Sequence, residues 1–474
     1  MTRSATRRSF VLVAVLALAA WAAAALVSGG DEQRPSSVLP EGQRDDDPFA
    51  YDPDRREDFE RRAAAGLSHV LYAKSPGGAI ASAERVARYR GLIEDAAGDH
   101  DPDTIEAMVL LESAGRPDAM AGGTEGAVGL THILAETGAN LLDMRVDVAE
   151  SRRLTKQIER ALRRGQAARA DRLRAQRRRV DERYDPPKAL AATVRYLDFA
   201  KGELDDRDDM AVASYHMGVG NLQGVLEAFG ADEQTPYAEV FFDSSPLRHA
   251  EAWQRLARLG DDSSTYLWRI GAAREIMRLH REDPEELSSL VVLHGKKNSA
   301  EEVLHRPADT KVFTEPDDVE EARDDGELEA LPVEDLAKVG IRIDRRMGEL
   351  AKRQDAEAGL YRALKPEALA LLVYLASGVK EISKAEPLVL TSTVRDLGYQ
   401  RLLLRRNREA TPGYSLHTTG WAFDVERKYA SREQALAFQF MLDRLQALNL
   451  IAWVREPAAI HITVGGGAKA LLGD

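Results

Sequence analysis

From about Glu84 to Leu293 the apolar residues recur at helical spacing, and no alternating strand pattern persists. A stretch of that length without strands restricts this part of the chain to an all-α domain, because its helices must bury one another's apolar stripes. Beyond it the pattern changes. Pro307 to Pro332 turns acidic and poor in aromatic residues, with Glu315-Pro316-Asp317-Asp318 and Asp324-Asp325-Gly326-Glu327, so 294–340 reads as a linker. Helical pattern from Ala356 to Ile382 then precedes runs that suit strands: Pro387 to Thr393, Trp421 to Val425 and Ile460 to Val464. The expectation is a multidomain chain in which an all-α domain (84–293) is followed by a smaller α+β domain (341–474). There is no internal repeat. Arg152 to Arg183 is Arg-dense with a break at Gly165, which predicts a helical hairpin inserted at 144–184. Its arginines read better as a solvated charged face than as a contact for anionic glycan.

The N-terminus carries Arg3, Arg7 and Arg8 ahead of an unbroken apolar run from Phe10 to Val27, so 1–30 is expected to be an export signal. Its length suits either a cleaved signal or a retained membrane anchor. Thr6-Arg7-Arg8-Ser9-Phe10-Val11-Leu12 also looks like a twin-arginine signal, although the arginines serve equally as a plain positive flank. The expected location is the periplasm or cell envelope, with the inner membrane as a partner if the segment is retained. Residues 31–83 read as a tether and leading helix, with Gly30 to about Phe59 solvated. The formal net charge of -13 argues against nucleic acid as a partner, since phosphate binding needs a basic surface. The absence of cysteine excludes disulfides, thiolate metal sites and a cysteine nucleophile. Any metal must be held by His, Asp or Glu.

Asp101-Pro102-Asp103-Thr104-Ile105-Glu106 opens a helix with an acidic cap, an early proline and a first-turn carboxylate, and Gly115 and Pro117 close it. Glu112 falls in its last turn after Val109-Leu110-Leu111. A carboxyl turned into an apolar cleft wall is kept protonated by desolvation, and in that form it can donate to a leaving glycosidic oxygen. Taken alone, a Glu at a helix end is more often a solvated residue. Glu112-Ser113-Ala114-Gly115-Arg116-Pro117-Asp118-Ala119 is followed by Gly126-Ala127-Val128-Gly129-Leu130-Thr131-His132-Ile133, by Asp185-Pro186, by Ser214-Tyr215-His216-Met217-Gly218-Val219-Gly220-Asn221-Leu222, and by Asp262-Ser263-Ser264-Thr265-Tyr266-Leu267. In this order and wording, about Ala96 to Met277 resembles the soluble lytic transglycosylase domain, a lysozyme-like α fold. The resemblance implies Glu112 as acid and then base, Ser113 steadying the sugar N-acetyl group, and Tyr215 and Tyr266 lining the cleft. It also implies that the substrate's own acetamido oxygen assists, so that no second carboxylate is needed. His132 stands where the family usually has Gln, and His216 where it usually has Asn. Both are expected in the substrate subsites, with one neutral donor and one acceptor in place of an amide's two of each.

Ser415-Leu416-His417-Thr418-Thr419-Gly420-Trp421-Ala422-Phe423-Asp424 offers an imidazole and a carboxylate with a glycine between them where the chain can bend, and His461 is a further candidate ligand. Two His and one Asp leave a fourth position open, the arrangement a hydrolytic zinc needs. The segment resembles the SxHxxGxAxD motif of zinc D-Ala-D-Ala carboxypeptidases and their peptidoglycan endopeptidase relatives. Thr391-Ser392-Thr393-Val394-Arg395, with Gln400, looks like that family's Ser-Gly-Tyr-Arg segment and its following Gln. The resemblance runs from about Pro387 to Val464 and implies zinc on His417, Asp424 and His461, with Arg395 at the substrate carbonyl or its developing oxyanion. The family's base is usually a Glu three residues before the last ligand, whereas Glu456 lies five before His461. A turn over Pro457 to Ile460 would set Glu456 directly opposite His461 on one face.

The two resemblances share one polymer. The expected function is peptidoglycan remodelling: non-hydrolytic cleavage of the glycan to anhydro-muropeptides, with a second, zinc-dependent D,D-peptidase activity on stem peptides. The rival is a wall-binding or scaffold protein with one or both modules inactive, supported by His132, His216 and the Glu456 spacing.

Overall fold

Several of the longer helices begin at an acidic residue followed by proline. Asp101 accepts from the Asp103 amide ahead of the helix Pro102–Ser113, and Asp185 from the Lys188 amide ahead of Pro186–Glu203. Each side chain satisfies an amide that has no partner in the first turn, and proline there lacks an N–H to lose. The computed structural model describes residues 47–405 and 413–473. The proposed export segment, 1–30, therefore lies outside the described residues. Among the described residues no helix is long and apolar enough to cross a membrane.

The protein is multidomain and mainly α-helical, with a five-stranded mixed sheet and two two-stranded ones among the described residues, and the chain divides into two compact units. The first unit comprises 67–223 and 261–295. Pro102–Ser113 and Tyr266–Glu282 supply its buried Ile105, Met108, Trp268 and Ile276. The expected hairpin is present: Val148–Arg163 and Ala167–Val180 turn at Gly165 (φ 66°) and close on Leu154, Ile158, Ala161, Ala170 and Leu173. At its base Arg183 is fully buried against Asp181 at 2.9 Å and donates to the carbonyls of Thr124, Gly126 and Ile133. That one guanidinium ties the hairpin to the loop that carries His132. Gly129 has φ 86°, and a Cβ there would stand 1.9 Å from the Arg183 carbonyl oxygen, so only glycine fits.

The second unit comprises, among the described residues, 47–66, 224–260, 296–405 and 413–473. Its sheet has strands β1 (Ile341–Ile343), β2 (Leu388–Ser392), β3 (Ala422–Glu426), β4 (Ile451–Arg455) and β5 (Ala459–Val464) in the order β1-β2-β3-β5-β4. β1 and β2 are parallel and the other pairs antiparallel. Alternation sends Phe423, Val425, Ile460, Ile462 and Val464 into the core. The helices Pro366–Ser383 and Arg432–Ala447 pack on each other and against β5 and β4.

Three expectations need correction here. The stretch 294–340 is structured, holding helices Glu301–Leu304, Pro316–Asp324 and Val333–Lys338 and strand β1's approach. Phe313, Val319, Ala322 and Leu328 form a buried cluster with Ala363 and Val394, so the acidic residues are the solvated face of a packed segment. The α+β part is larger than expected and does not simply follow the helical one, because it also takes in 224–260 and the end of the expected tether, where Phe49 and Phe59 are buried. Arg444 holds 224–260 in place, donating to the carbonyls of Phe241, Phe242 and Ser244 at the C-terminal end of the helix Tyr237–Asp243. Finally, the helix expected from Ala356 starts at Pro366, since Ala363–Leu364 pairs with Glu329–Ala330 first.

In the first unit His294 is buried, stacked on Tyr72 at 4.2 Å, with Nδ1 3.0 Å from Nδ1 of His69. Burial, and then the neighbouring imidazole, lower its pKa to about 3. The unfolded chain therefore takes up this proton first, so the stability that neutral His294 contributes is full above about pH 6.5 and drains as pH falls, by at most about 1.4 kcal/mol per pH unit. Urea midpoints between pH 7 and 5 should fall for the wild-type protein and fall less steeply for His294→Phe; parallel slopes would contradict this.

Candidate functional site

Two constellations of the expected residues assemble, one in each unit. In the first, Glu112 sits in the last turn of the helix Pro102–Ser113, which Ala114 ends in a left-handed conformation at φ 54°. Tyr266 opens its own helix and donates from its hydroxyl to Glu112 Oε1 at 2.8 Å. His132 Nδ1 lies 3.2 Å from Glu112 Oε2. The carboxyl side chain is 10% exposed, so it is enclosed yet reachable. Burial, and then the charge of Glu112, push the Tyr266 hydroxyl well above the ordinary phenol pKa, which keeps it a donor. An imidazole can donate through Nδ1 or accept there, so His132 is compatible with either protonation form of the carboxyl. Its Nε2 is buried without a hydrogen-bond partner among the described residues.

Aromatic rings wall this carboxyl. Tyr215 stacks on Tyr266 at 6.1 Å and His216 on Tyr266 at 5.4 Å. Tyr215 is anchored by donating to the Thr131 carbonyl at 2.8 Å, next to His132, and His216 Nδ1 meets Ser263 Oγ at 2.7 Å. Ser113 is brought in differently from what the resemblance implies. One residue further round the helix than Glu112, it turns inward, is 1% exposed and donates to the Val109 carbonyl at 3.1 Å. Its hydroxyl is thereby committed to its own helix.

In the second constellation, β3 and β5 pair Asp424 directly with His461, and directly opposed residues share a face. His417 arrives from the 3-10 turn Leu416–Thr419, which Gly420 (φ 80°) ends. A Cβ on Gly420 would stand 2.6 Å from Leu328 Cδ2, which accounts for the glycine of the motif. Asp424 Oδ1 lies 3.1 Å from His417 Nε2 and 2.9 Å from His461 Nδ1. All three residues are buried, and one potential ligand atom from each falls within 4.8 Å of the others. The outer nitrogens are engaged too: His417 Nδ1 meets the Thr393 carbonyl at 2.8 Å, and His461 Nε2 lies 3.3 Å from Glu301 Oε2 and 3.3 Å from Thr463 Oγ1.

Burial, then the Arg395 charge, lower His417 to about 4, so it is a neutral imidazole with a free inner lone pair. Burial opposes charge on Asp424, yet the two imidazoles hold it well below the ordinary carboxylate value. Burial likewise opposes charge on His461, and its hydrogen bonds to Asp424 and Glu301 outweigh that and raise it to about 10. Two imidazoles and a carboxylate whose ligand atoms converge to within 4.8 Å fit a divalent metal such as zinc, and Asp424 also meets Arg395 at 3.2 Å.

Arg395 lies beside this set. It donates to Ser392 Oγ at 2.6 Å and to Gln400 Oε1 at 3.1 Å, and it lines a cavity of about 310 Å³ together with Asp424, Tyr399 and Glu456. His417 and His461 do not line that cavity; Asp424 joins the two. Glu456 differs from expectation: its amide donates to the Ala459 carbonyl at 2.9 Å, and His461 is opposed by Val454. Pro457 and Ala458 alone form the tight turn, so Glu456 stands opposite Ala459, two pairs along the ladder from His461. Glu301 escaped sequence reasoning because it lies in the stretch read as linker; the apolar spacing of Val303 and Leu304 beside it was the available signal.

No protein-family profile and no curated protein matches the chain. The motifs and their geometry therefore carry the functional reading.

The second constellation predicts one divalent ion per chain. His417→Ala and His461→Ala should each cut zinc occupancy sharply in metal analysis of dialysed protein, while circular dichroism stays unchanged. Full occupancy in both variants would sink the site.

Proposed function

We propose that the chain is an exported peptidoglycan remodeller with two reaction centres: a lytic transglycosylase site around Glu112 and a zinc D,D-peptidase site around His417, Asp424 and His461. The observation that carries the first half is the grip of Tyr266 and His132 on Glu112, because those residues come from separate motifs of the lytic transglycosylase pattern. The lysozyme-like and peptidase-like assignments of the two units belong to the same proposal, as do zinc, the envelope location and the wall polymer as partner.

At the first site the protonated Glu112 donates to the glycosidic oxygen as the bond to the muramyl carbon breaks. The acetamido oxygen of the substrate assists from the other side. Glu112, now a carboxylate, takes the proton of the muramyl hydroxyl as that oxygen closes the anhydro ring, so no water is consumed. Tyr266 and His132 hold the carboxyl through both transfers, and the rings of Tyr215 and His216 form an apolar wall for the sugar. At the second site His417, Asp424 and His461 would hold zinc, which supplies Lewis acidity toward a peptide carbonyl. Arg395 offers positive charge in the adjoining cavity, where a developing oxyanion can be stabilised, and Glu456, on the lining of that cavity, is the candidate base.

A second reading concerns this site alone. The register that sets Val454, and not Glu456, opposite His461 favours a unit that binds metal and wall peptide without cutting it.

Glu112→Gln keeps the shape and cannot deliver a proton, so formation of anhydro-muropeptides from purified sacculi should fall by about two to four powers of ten. Near-normal anhydro product from a folded variant would remove the proposal for the first site.

A further inference from the structure

Glu301 stands 3.3 Å from Nε2 of His461, at the ring nitrogen turned away from Asp424. We propose that Glu301 is the positioning residue of the metal site: it accepts the Nε2 proton of His461, fixes that tautomer, and aims Nδ1 at the ion. The inference rests on the zinc reading of His417, Asp424 and His461.

The two histidines are built alike. Each has one nitrogen toward Asp424 Oδ1 and the other held by an acceptor, the Thr393 carbonyl for His417 and the Glu301 carboxylate for His461. A histidine ligand whose outer N–H is held by a carboxylate binds metal more tightly, because the ring is oriented and its inner lone pair is made more basic. Glu301 itself is held. It is 5% exposed, its Oε1 lies 3.3 Å from Lys297 Nζ one turn earlier, and Lys297 donates in turn to the Tyr414 carbonyl at 2.8 Å. Ser299 Oγ donates to Oε2 at 3.4 Å. A buried carboxylate with a lysine on one oxygen and an imidazole on the other is expensive to leave unpaired, which suits a fixed orienting role.

Thr463 Oγ1 is the other group at Nε2, also at 3.3 Å. A hydroxyl is the weaker acceptor and carries no charge to complement the imidazole. The two contributions separate by mutation.

The test is zinc affinity of the full chain, read by competition with a chromophoric chelator. Glu301→Ala should weaken binding by about ten- to a hundredfold. Glu301→Gln keeps an acceptor oxygen of the same reach without the charge and should recover only part of that loss, whereas a merely packing role would be restored in full by this isosteric change. Thr463→Val should change affinity by less than Glu301→Gln. Wild-type affinity in both Glu301 variants, with zinc bound by the parent, overturns the assignment and leaves the metal site standing. A larger loss in Thr463→Val than in Glu301→Ala overturns it in favour of the hydroxyl, and a parent that binds no zinc overturns both.

Discussion

The pairing of Asp424 with His461 across β3 and β5 is the constraint on which the second site depends. Directly opposed residues on antiparallel strands point to one side of the sheet, so the two groups are set close by backbone hydrogen bonds that the core side chains Phe423, Val425, Ile460 and Ile462 already enforce on the opposite side. A slip by one residue would exchange the two faces and bury the carboxylate in the apolar core. Chemistry and stability therefore select the same register. His417 adds only a short turn to this frame, with Gly420 supplying the left-handed conformation and the space that the turn needs against Leu328.

The site around Glu112 solves a related problem without a sheet. Its carboxyl is held by groups from a helix start, Tyr266, and from a loop, His132, and the loop is stiffened from behind by the buried Arg183 on the carbonyls of Thr124, Gly126 and Ile133. In both sites a carboxylate is approached by two groups from separate elements, Tyr266 and His132 at Glu112, and His417 and His461 at Asp424. Held groups of this kind lose little on meeting a substrate or ion, because their orientation is set in advance. The difference lies in the surroundings: Glu112 borders an aromatic wall, whereas Asp424 joins His417 and His461 to the cavity that Arg395 and Glu456 also line.

Much of this arrangement was legible in the sequence where local signals decide structure. The helix of Glu112 has an Asp-Pro start and a Gly-containing stop, and the three expected strands are short runs of strand-forming residues, so both were found with bounds close to those observed, whereas Ile341–Ile343 and Ile451–Arg455 were not. Local signals failed where tertiary packing decides. Ser113 follows Glu112 in the chain, yet a step of about 100° round the helix turns it inward. Glu456 was set opposite His461 on the assumption of a longer turn, and the hairpin closes two residues sooner. Glu301 lies far from His461 in sequence, inside an acid-rich segment whose composition resembles a linker while its apolar residues pack. Composition reports the solvated face of such a segment and conceals the buried one.

The central claim, two independent chemistries on one wall polymer, is tested most directly by mass spectrometry of purified sacculi digested with the protein, with and without a strong zinc chelator. The account predicts anhydro-muramyl ends in both digests, because the Glu112 route uses a proton and the substrate's own acetamido group, and cut stem peptides only without chelator. Loss of the anhydro ends together with the peptide cuts, in chelated protein whose circular dichroism is unchanged, would contradict it.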